Sequence, residues 1–339
     1  MVTIKDIARL AGVSITTVSR ALNGYPDVSP KTRKKIQKIA AELGYRPNVV
    51  ARSLVTKKTQ TIGLLLSDLR RRSTDSFVLD LLCGMNDAAG ERGYELILFH
   101  TNPAKQRVKS YRALCQERQV DGVIVMGLRL DDPYLQEMME AEIPCVFVDV
   151  EVEGERVGYV TSANAKGARL AITHLADMGH REIAFVNGHD QAAVSHYRLQ
   201  GVREACRDLG LALPEERVLD GAFTEEQAYE AVAALLAHDP AVTAVFCASD
   251  RMAIGAMRAA RDAGLRVPDD LSVVGFDDIV LASYTTPALT TIRQHTYEMG
   301  EAAAHLLIDM LEGVASSHRV VIDVELVQRD SVAPPRRHA

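Results

Sequence analysis

Apolar residues fall into two regimes along this chain. Over residues 1–45 they recur in short bursts at helical spacing; beyond residue 60 they gather into runs of three to five, separated by amphipathic stretches. In the first regime Ile4, Ile7, Ala8 and Ala11 form one stripe with Leu10 beside it, and Thr3 with Asp6 supplies an N-terminal cap. Gly12 stops that helix and Val13 plugs the turn. Ser14 caps a second helix, Ile15 to about Leu22, with Val18 and Leu22 inward and Ile15, Thr16, Ser19 and Arg20 outward. Asn23-Gly24 closes it. Ser29-Pro30 opens a third helix carrying Ile36, Ile39, Ala40 and Leu43 to a stop at Gly44. Two short helices about a glycine turn, braced by a third, form a helix-turn-helix, which sets its second helix in the major groove of DNA.

In the second regime the strand-like runs are Ile62–Leu66, Leu96–Phe99, Val123–Met126, Cys145–Val148, Ile183–Val186, Ala244–Phe246 and Val273–Phe276. Amphipathic helices lie between them, for example Phe77–Arg92, Ala165–Met178, Gln227–Ala237 and Met252–Ala263. Buried strands alternating with helices mean parallel sheets covered on both faces, and about 270 residues suit two such subdomains better than one. Ligands bind open parallel sheets beyond the carboxyl ends of the strands. The candidates there are Ser67, Asp68, Arg70–Arg72 and Asp75-Ser76-Phe77 after the first run, and Asp149 after the fourth. Asn187–Asp190 with Arg198, Phe223 in its Gly221–Thr224 turn, Ser249-Asp250, Asp277-Asp278 and Gln294 complete the set. By pattern alone, Asp277-Asp278 serve equally as loop caps, Arg198 as a surface residue and Phe223 as core.

Charge separates the same two regimes. Residues 1–60 hold 12 Lys/Arg against 3 Asp/Glu, a balance of +9, and the remainder carries −15, giving the net −6. A basic head on an acidic body points to a polyanion for the head; charge alone allows a solvated basic face equally. Enzyme motifs are missing: there is no G-x-S-x-G elbow, phosphate-loop lysine motif or H-E-x-x-H, and no G-x-G-x-x-G follows a strand. The ten histidines have no ligand-like spacing, so neither metal nor cofactor is expected. The five cysteines, Cys83, Cys115, Cys145, Cys206 and Cys247, lack C-x-x-C spacing and read as reduced thiols of the cytoplasm. There is no signal peptide and no apolar run long enough to span a membrane.

Val2-Thr3-Ile4-Lys5-Asp6-Ile7-Ala8, Gly12-Val13-Ser14, Thr17-Val18-Ser19-Arg20-Ala21-Leu22-Asn23 and Leu43-Gly44-Tyr45-Arg46-Pro47-Asn48 resemble the lactose-repressor (LacI/GalR) family of bacterial transcription regulators, and the likeness runs over about residues 2–330. It implies a helix-turn-helix domain (1–46), a linker (47–60) and an effector-binding and dimerisation domain (61–330). The body is then two Rossmann-like lobes of the periplasmic-binding-protein type I kind. Three crossovers near Val160, Thr291 and Val320 place 61–160 with 292–320 in the first lobe and 161–291 with 321–330 in the second. Residues 331–339, with two prolines and two arginines, read as a disordered tail.

The resemblance implies DNA contacts from Thr3, Ser14, Ile15, Thr16, Thr17, Ser19, Arg20 and Asn23 in the head, and from Asn48, Ala51 and Leu54 in the linker. A segment of about eight residues is too short to be a stable helix alone, so by itself the linker is a tether. In the family it folds on DNA as a hinge helix, and Leu54 matches the leucine that wedges into the minor groove. The expected effector set is Asp75, Phe77, Asp149, Arg198, Phe223, Ser249, Asp250, Asp277 and Gln294, of which Arg198, Asp277 and Phe223 match in position the family's effector-contacting arginine, aspartate and aromatic. Arg198 and Asp277 are suited to paired hydroxyls and Phe223 to an apolar sugar face. The chain departs from the family pattern at the cleft mouth. The loop after the first strand is about four residues longer, Asp75-Ser76-Phe77-Val78 replaces Asn-Pro-Phe-Phe, Ala163-Asn164 replaces Asp-Asn, and Ser249-Asp250 replaces Asn-Asp. The expected function is a cytoplasmic, nucleoid-associated homodimeric repressor of carbohydrate-utilisation genes that binds a pseudo-palindromic operator and answers to a small sugar. A purine or other metabolite acting as corepressor is the alternative. No leucine-heptad tail favours a tetramer.

Overall fold

The computed structural model describes residues 2–22, 25–45, 58–67, 76–101, 106–152 and 154–336. Asn23, the linker residues Asn48, Ala51 and Leu54, the Arg70–Arg72 run and Asp75 lie outside the described residues. The chain divides into two compact units, Met1–Thr59 and Gln60–Ala339.

In the first unit α1 (Ile4–Ala11) begins where Asp6 accepts from the Thr3 hydroxyl at 2.8 Å and the Thr3 N–H at 3.0 Å. These bonds hold the Asp6 carboxyl below its usual range. Gly12 takes φ 69°, a conformation a Cβ disfavours, and the Val13 N–H reaches back to Ala8 O at 3.1 Å. α2 (Ile15–Leu22) starts on Ser14, whose Oγ accepts from the Thr17 N–H at 3.0 Å. α3 (Pro30–Glu42) starts on Ser29, whose Oγ accepts from the Thr32 N–H at 3.2 Å. From α3, Lys35 Nζ donates to Ala11 O at 2.9 Å, placing a cation at the C-terminus of α1. Ile7, Ala8, Ala11, Val18, Ala21, Val28, Ile36 and Ala40 form the core. Val18 and Ala21 are therefore the fully inward pair of α2, and Leu22 packs half-buried at the rim.

The second unit opens with β1 (Thr61–Ser67), α4 (Ser76–Glu91), β2 (Glu95–Thr101), α5 (Tyr111–Arg118), β3 (Gly122–Met126), α6 (Pro133–Glu140), β4 (Cys145–Val148) and β5 (Val157–Ser162). The chain then crosses to α7 (Asn164–Asp177), β6 (Ile183–Asn187), α8 (Ala193–Asp208), β7 (Val218–Asp220), α9 (Glu225–His238), β8 (Ala244–Cys247), α10 (Asp250–Asp262), β9 (Ser272–Asp277) and β10 (Thr290–Gln294). It returns for α11 (Thr296–Glu312) and β11 (Arg319–Ile322), and crosses again to β12 (Val324–Val327). The first sheet is six parallel strands in the order β11-β5-β4-β3-β1-β2; the second runs β12-β10-β9-β8-β6-β7, with only β12 antiparallel. Both are α/β layers of the expected two-lobed kind. Apolar clusters cover the first sheet from both faces, one built on α4 and α11 and one on α5 and α6. The second lobe has one large cluster, in which Phe185 and Phe246 stack at 5.2 Å. Each fully buried large apolar side chain contributes about 1.5–3 kcal/mol.

Two expectations need correcting. The crossovers fall at about residues 163, 295 and 323, three to four residues beyond those expected, so Ile292–Gln294 belong to the second sheet. The apolar run stops at Val160, but the strand continues through Thr161 and Ser162, both buried. Residues 331–336 are not a disordered tail. Ser331 is 0 % exposed, accepts from the Thr290 N–H at 2.8 Å and donates to Val273 O at 2.6 Å. The Ala333 N–H donates to Ser272 Oγ at 3.1 Å, and Arg336 pairs with Asp269 and Asp270. Buried His180 donates from Nε2 to Ala333 O at 2.9 Å and accepts at Nδ1 from the Thr243 hydroxyl at 2.9 Å. The tail carries its order in hydrogen bonds to β9 and β10, which no apolar pattern announces.

Candidate functional site

The carboxyl ends of the strands of both sheets face a cavity of about 220 Å³, lined by Phe77, Val78, Asp149, Val194, Arg198, Phe223, Ser249, Arg251, Asp277 and Gln294. Seven of the nine expected effector residues thus meet at one cavity. Asp75 lies outside the described residues, and Asp250 does not line it.

Arg198 projects from α8 and is 3 % exposed. Its Nε donates to Asn164 Oδ1 at 2.8 Å, and Nη1 donates to Ala248 O at 2.5 Å while lying 3.9 Å from Asp277 Oδ1. The guanidinium sits 3.8 Å from the Phe276 ring centroid. Burial lowers the Arg198 pKa; Asp277, Asp149 and Asp250 oppose that shift and keep the cation. Asp149 accepts from the Thr161 hydroxyl at 2.9 Å. Burial raises its carboxyl, against the pull of Arg198.

Asp277 accepts from Gln294 Nε2 at 2.7 Å. An ionised carboxylate only accepts, so the amide nitrogen must face it. Gln294 Oε1 is thereby left buried without a hydrogen-bond partner, an acceptor prepared for a donor. Asp278 turns the other way, to Arg293 at 2.7 Å and Arg329 at 2.6 Å, and anchors the loop.

Phe223 is seated by its neighbour across the cleft wall. A Cβ on Gly188 would stand 1.9 Å from the Phe223 ring, so the ring lies directly on that backbone. His189 meets it edge-on at 5.7 Å and 89°. Ser249 caps α10, accepting from the Met252 N–H at 3.3 Å. Strain concentrates here. Among the described residues, seven non-glycines have positive φ; five of them, Asp149, Ala222, Phe223, Asp277 and Asp278, sit at strand ends and on loops around this cavity. Such conformations persist where the surroundings over-determine them.

Asp250 is a correction. The first residue of α10, it is 0 % exposed and points between β9 and β10 rather than into the cavity. Val194 and Arg251 were not among the expected residues, and Asn164 and Val78 stood out only as departures from the family pattern. Asn164, 3 % exposed, orients Arg198; its position just past a crossover was the available signal. Val194 precedes Arg198 by one helical turn. Arg251 follows the strand-end pair Ser249-Asp250 at a helix start, and Val78 follows Phe77.

In the head, α2 presents exposed Ile15, Thr16 and Arg20 and half-buried Thr17 and Ser19. Arg20 pairs with Asp27 at 2.7 Å and lies 4.9 Å from the Tyr25 ring centroid. Both members of the ion pair are about half exposed, so it is worth little and exchanges readily for another partner. Thr3 and Ser14 act as caps with exposed side chains. Four cysteines are buried and Cys83 is exposed; burial pushes Cys115 and Cys145 up to about 12, away from thiolate chemistry. Among the described residues no group of three His, Cys, Asp or Glu is placed to hold a metal, and no helix is long and apolar enough to cross a membrane.

Residues 3–48 match the family described as bacterial regulatory proteins, lacI family, and residues 172–332 match a periplasmic binding protein-like domain. The chain is 37 % identical over 335 residues to the HTH-type transcriptional repressor PurR of Vibrio cholerae serotype O1, covering 98 % of each. It is 38 % identical over 335 residues to the HTH-type transcriptional regulator CelR of Thermobifida fusca, covering 97 % of this chain and 98 % of that one. Among solved structures, a transcriptional regulator CelR–cellobiose complex superposes with a TM-score of 0.75 at 35 % identity, over 98 % of this chain and 100 % of that one. The lac repressor dimer bound to operator and the anti-inducer ONPF gives a TM-score of 0.80 at 29 % identity, over 98 % and 99 %. With a full-length relative at this identity, the chain belongs to the lacI family of bacterial regulatory proteins.

Proposed function

We propose that the protein is an operator-binding transcriptional repressor, acting as a homodimer in the bacterial cytoplasm and controlled by a small carbohydrate held in the cavity of the second unit. It works by binding, with no catalytic step. The observation that carries the reading is the acceptor-rich cavity wall. Asp149, Asp277 and Gln294 Oε1 offer acceptors, while two of the Arg198 donor nitrogens are already committed to Asn164 and Ala248. Adjacent hydroxyls on one ring supply the matching donors, and Phe223 offers a surface for the ring's apolar face. The CelR relative, solved with cellobiose, supports the same class; the PurR likeness supports a purine corepressor as the second reading.

In the head, Ile15, Thr16 and Arg20 read base edges. The linker, through Leu54, completes a hinge on DNA. Exposed Val280, Leu281 and Tyr284, all in one turn, offer an apolar surface to a second copy. Two measurements test the proposal. A thermal-shift panel of mono-, di- and oligosaccharides and purines should show one class stabilising by roughly 2.7 kcal/mol at about 100 times its Kd; a purine-only response selects the second reading. Arg20→Ala should weaken operator binding by about 1–3 kcal/mol while sparing random DNA. Equal loss on both DNAs would show that Arg20 touches only phosphate.

A further inference from the structure

We propose that Asp250 is the positioning residue of the cleft: it fixes the backbone of Asp277–Ile279 so that the Asp277 carboxylate stays turned toward Arg198 and the ligand space. The proposal rests on the cavity being the ligand site, but not on which ligand it takes. Asp250 is 0 % exposed and does not line the cavity, so any effect on a ligand passes through other groups. Both its oxygens are committed: Oδ2 accepts from the Ile279 N–H at 2.8 Å and Oδ1 from the Thr291 hydroxyl at 2.5 Å.

The segment it grips is contorted. Asp277 has φ 121° and Asp278 φ 57°, two successive conformations that non-glycine residues avoid. Arg293 and Arg329 tie Asp278 on one side, and Asp250 ties Ile279 on the other. Held on its N-terminal side by the pairing of β9 with β10 and followed by those two anchors, Asp277 reaches Gln294 at 2.7 Å and Arg198 at 3.9 Å. The space for Asp250 is reserved by the strand beside it. A Cβ on Gly275 would stand 2.1 Å from Asp250 Oδ1, and Thr291 pairs in register with Gly275. Three elements, α10, β9 and β10, thus converge on one carboxyl group. Burial, and then the charge of Asp277, push that carboxyl upward. An amide keeps the acceptor facing Ile279, and the Thr291 hydroxyl can turn to accept from its nitrogen. Asp250→Asn therefore preserves the clamp and Asp250→Ala removes it.

Hydrogen–deuterium exchange on the ligand-free, full-length protein follows the Ile279 amide, and crystal structures of the same variants locate Asp277. In Asp250→Ala the amide should exchange on the order of tenfold faster, with Asp277 withdrawn from Gln294. In Asp250→Asn both should match the wild type. Thr291→Val, which frees one carboxylate oxygen, should loosen the amide to a smaller degree. A merely structural role predicts that Asn and Ala lower Tm alike and leave Asp277 unmoved, and that outcome overturns the proposal. If Asp250→Ala does not fold, the other two variants decide it: a displaced Asp277 in Asp250→Asn, or a fully protected Ile279 amide in Thr291→Val, refutes the clamp. All readouts are ligand-free, so an error in the ligand reading leaves them intact.

Discussion

The two lobes meet at one cavity but contribute to it in different ways. The second lobe supplies Val194, Arg198, Phe223, Ser249, Arg251, Asp277 and Gln294; the first supplies Phe77, Val78 and Asp149. On the second lobe Arg198, Asp277 and Gln294 form a connected polar network, and four of the five strained residues around the cavity belong to it. On the first lobe two of the three wall residues are apolar, and the one polar group hangs from Thr161. The second lobe is the jaw, its polar groups held by one another. The first is a cover that adds apolar contact and one carboxylate. Under the proposed function, a ligand touching both walls would favour the arrangement that brings them together, and such differential affinity is what an allosteric regulator requires.

The largest effect is expected from Arg198→Ala, which leaves Asn164 Oδ1 and Ala248 O without their donor and the nearby carboxylates without their cation. Unfolding in urea should show a loss of about 3–5 kcal/mol, and ligand response should vanish at ordinary concentrations. Phe77→Ala on the cover should weaken the ligand far less; equal losses in calorimetry would abolish the distinction between jaw and cover. Next comes truncation after Asp330, which orphans the Thr290 N–H and Val273 O. At about 1–3 kcal/mol per buried group left unpaired, Tm should fall by several degrees, whereas an unchanged Tm would return the tail to the solvent. Gly188→Ala forces the Phe223 ring off its seat, so ligand affinity should drop about as much as in Phe223→Ala, with overpacking of about 1–3 kcal/mol. A variant with wild-type affinity would show that the ring's seat is irrelevant.

The smallest effect concerns pH. Burial depresses the His180 pKa below 6.5, so the unfolded chain binds the proton more readily than the folded one. The stability His180 contributes is therefore complete above pH 6.5 and declines as pH falls from 6.5 toward the depressed folded value. Replacing His180 with Gln should flatten that part of the stability profile; an unaltered slope would assign it to another group.

The parts of this molecule legible in its sequence are those written in apolar periodicity. Ile62–Leu66 and Cys145–Val148 announce their strands because both faces are covered, and Val18 marks the inward face of α2 because a 3.6-residue period exposes the rest. The cleft was legible where a polar residue follows such a run, as Asp149 and Asp277 do. What stayed hidden depends on hydrogen bonds across long sequence gaps. Asp250 belongs to the strand-end set by position, yet Ile279 and Thr291 draw it into the interior. Asn164 shows in the sequence only as half of an altered family pair, and its partner Arg198 is 34 positions away. Ser331 resembles any tail serine until β9 and β10 stand beside it.

The threading of the chain through both lobes also sets an order of assembly on the ribosome. The first lobe cannot finish early, although it begins first. Its sheet lacks the layer formed by α11, with Met299, Ala303, Leu307 and Ile308 in the core, and its edge strand β11 ends only at Ile322. The second lobe is continuous from Asn164 to Gln294 and awaits only β12 and the tail. As the chain emerges N-terminus first, the later-encoded lobe is the first to hold most of its core. The earlier one waits, half-clad in apolar surface, for a helix made near the end of translation. A stalled or truncated message ending near residue 295 would therefore release a jaw short of β12 and the tail, tethered to a far less complete cover, and the exposed face of that cover is where a chaperone or protease should act.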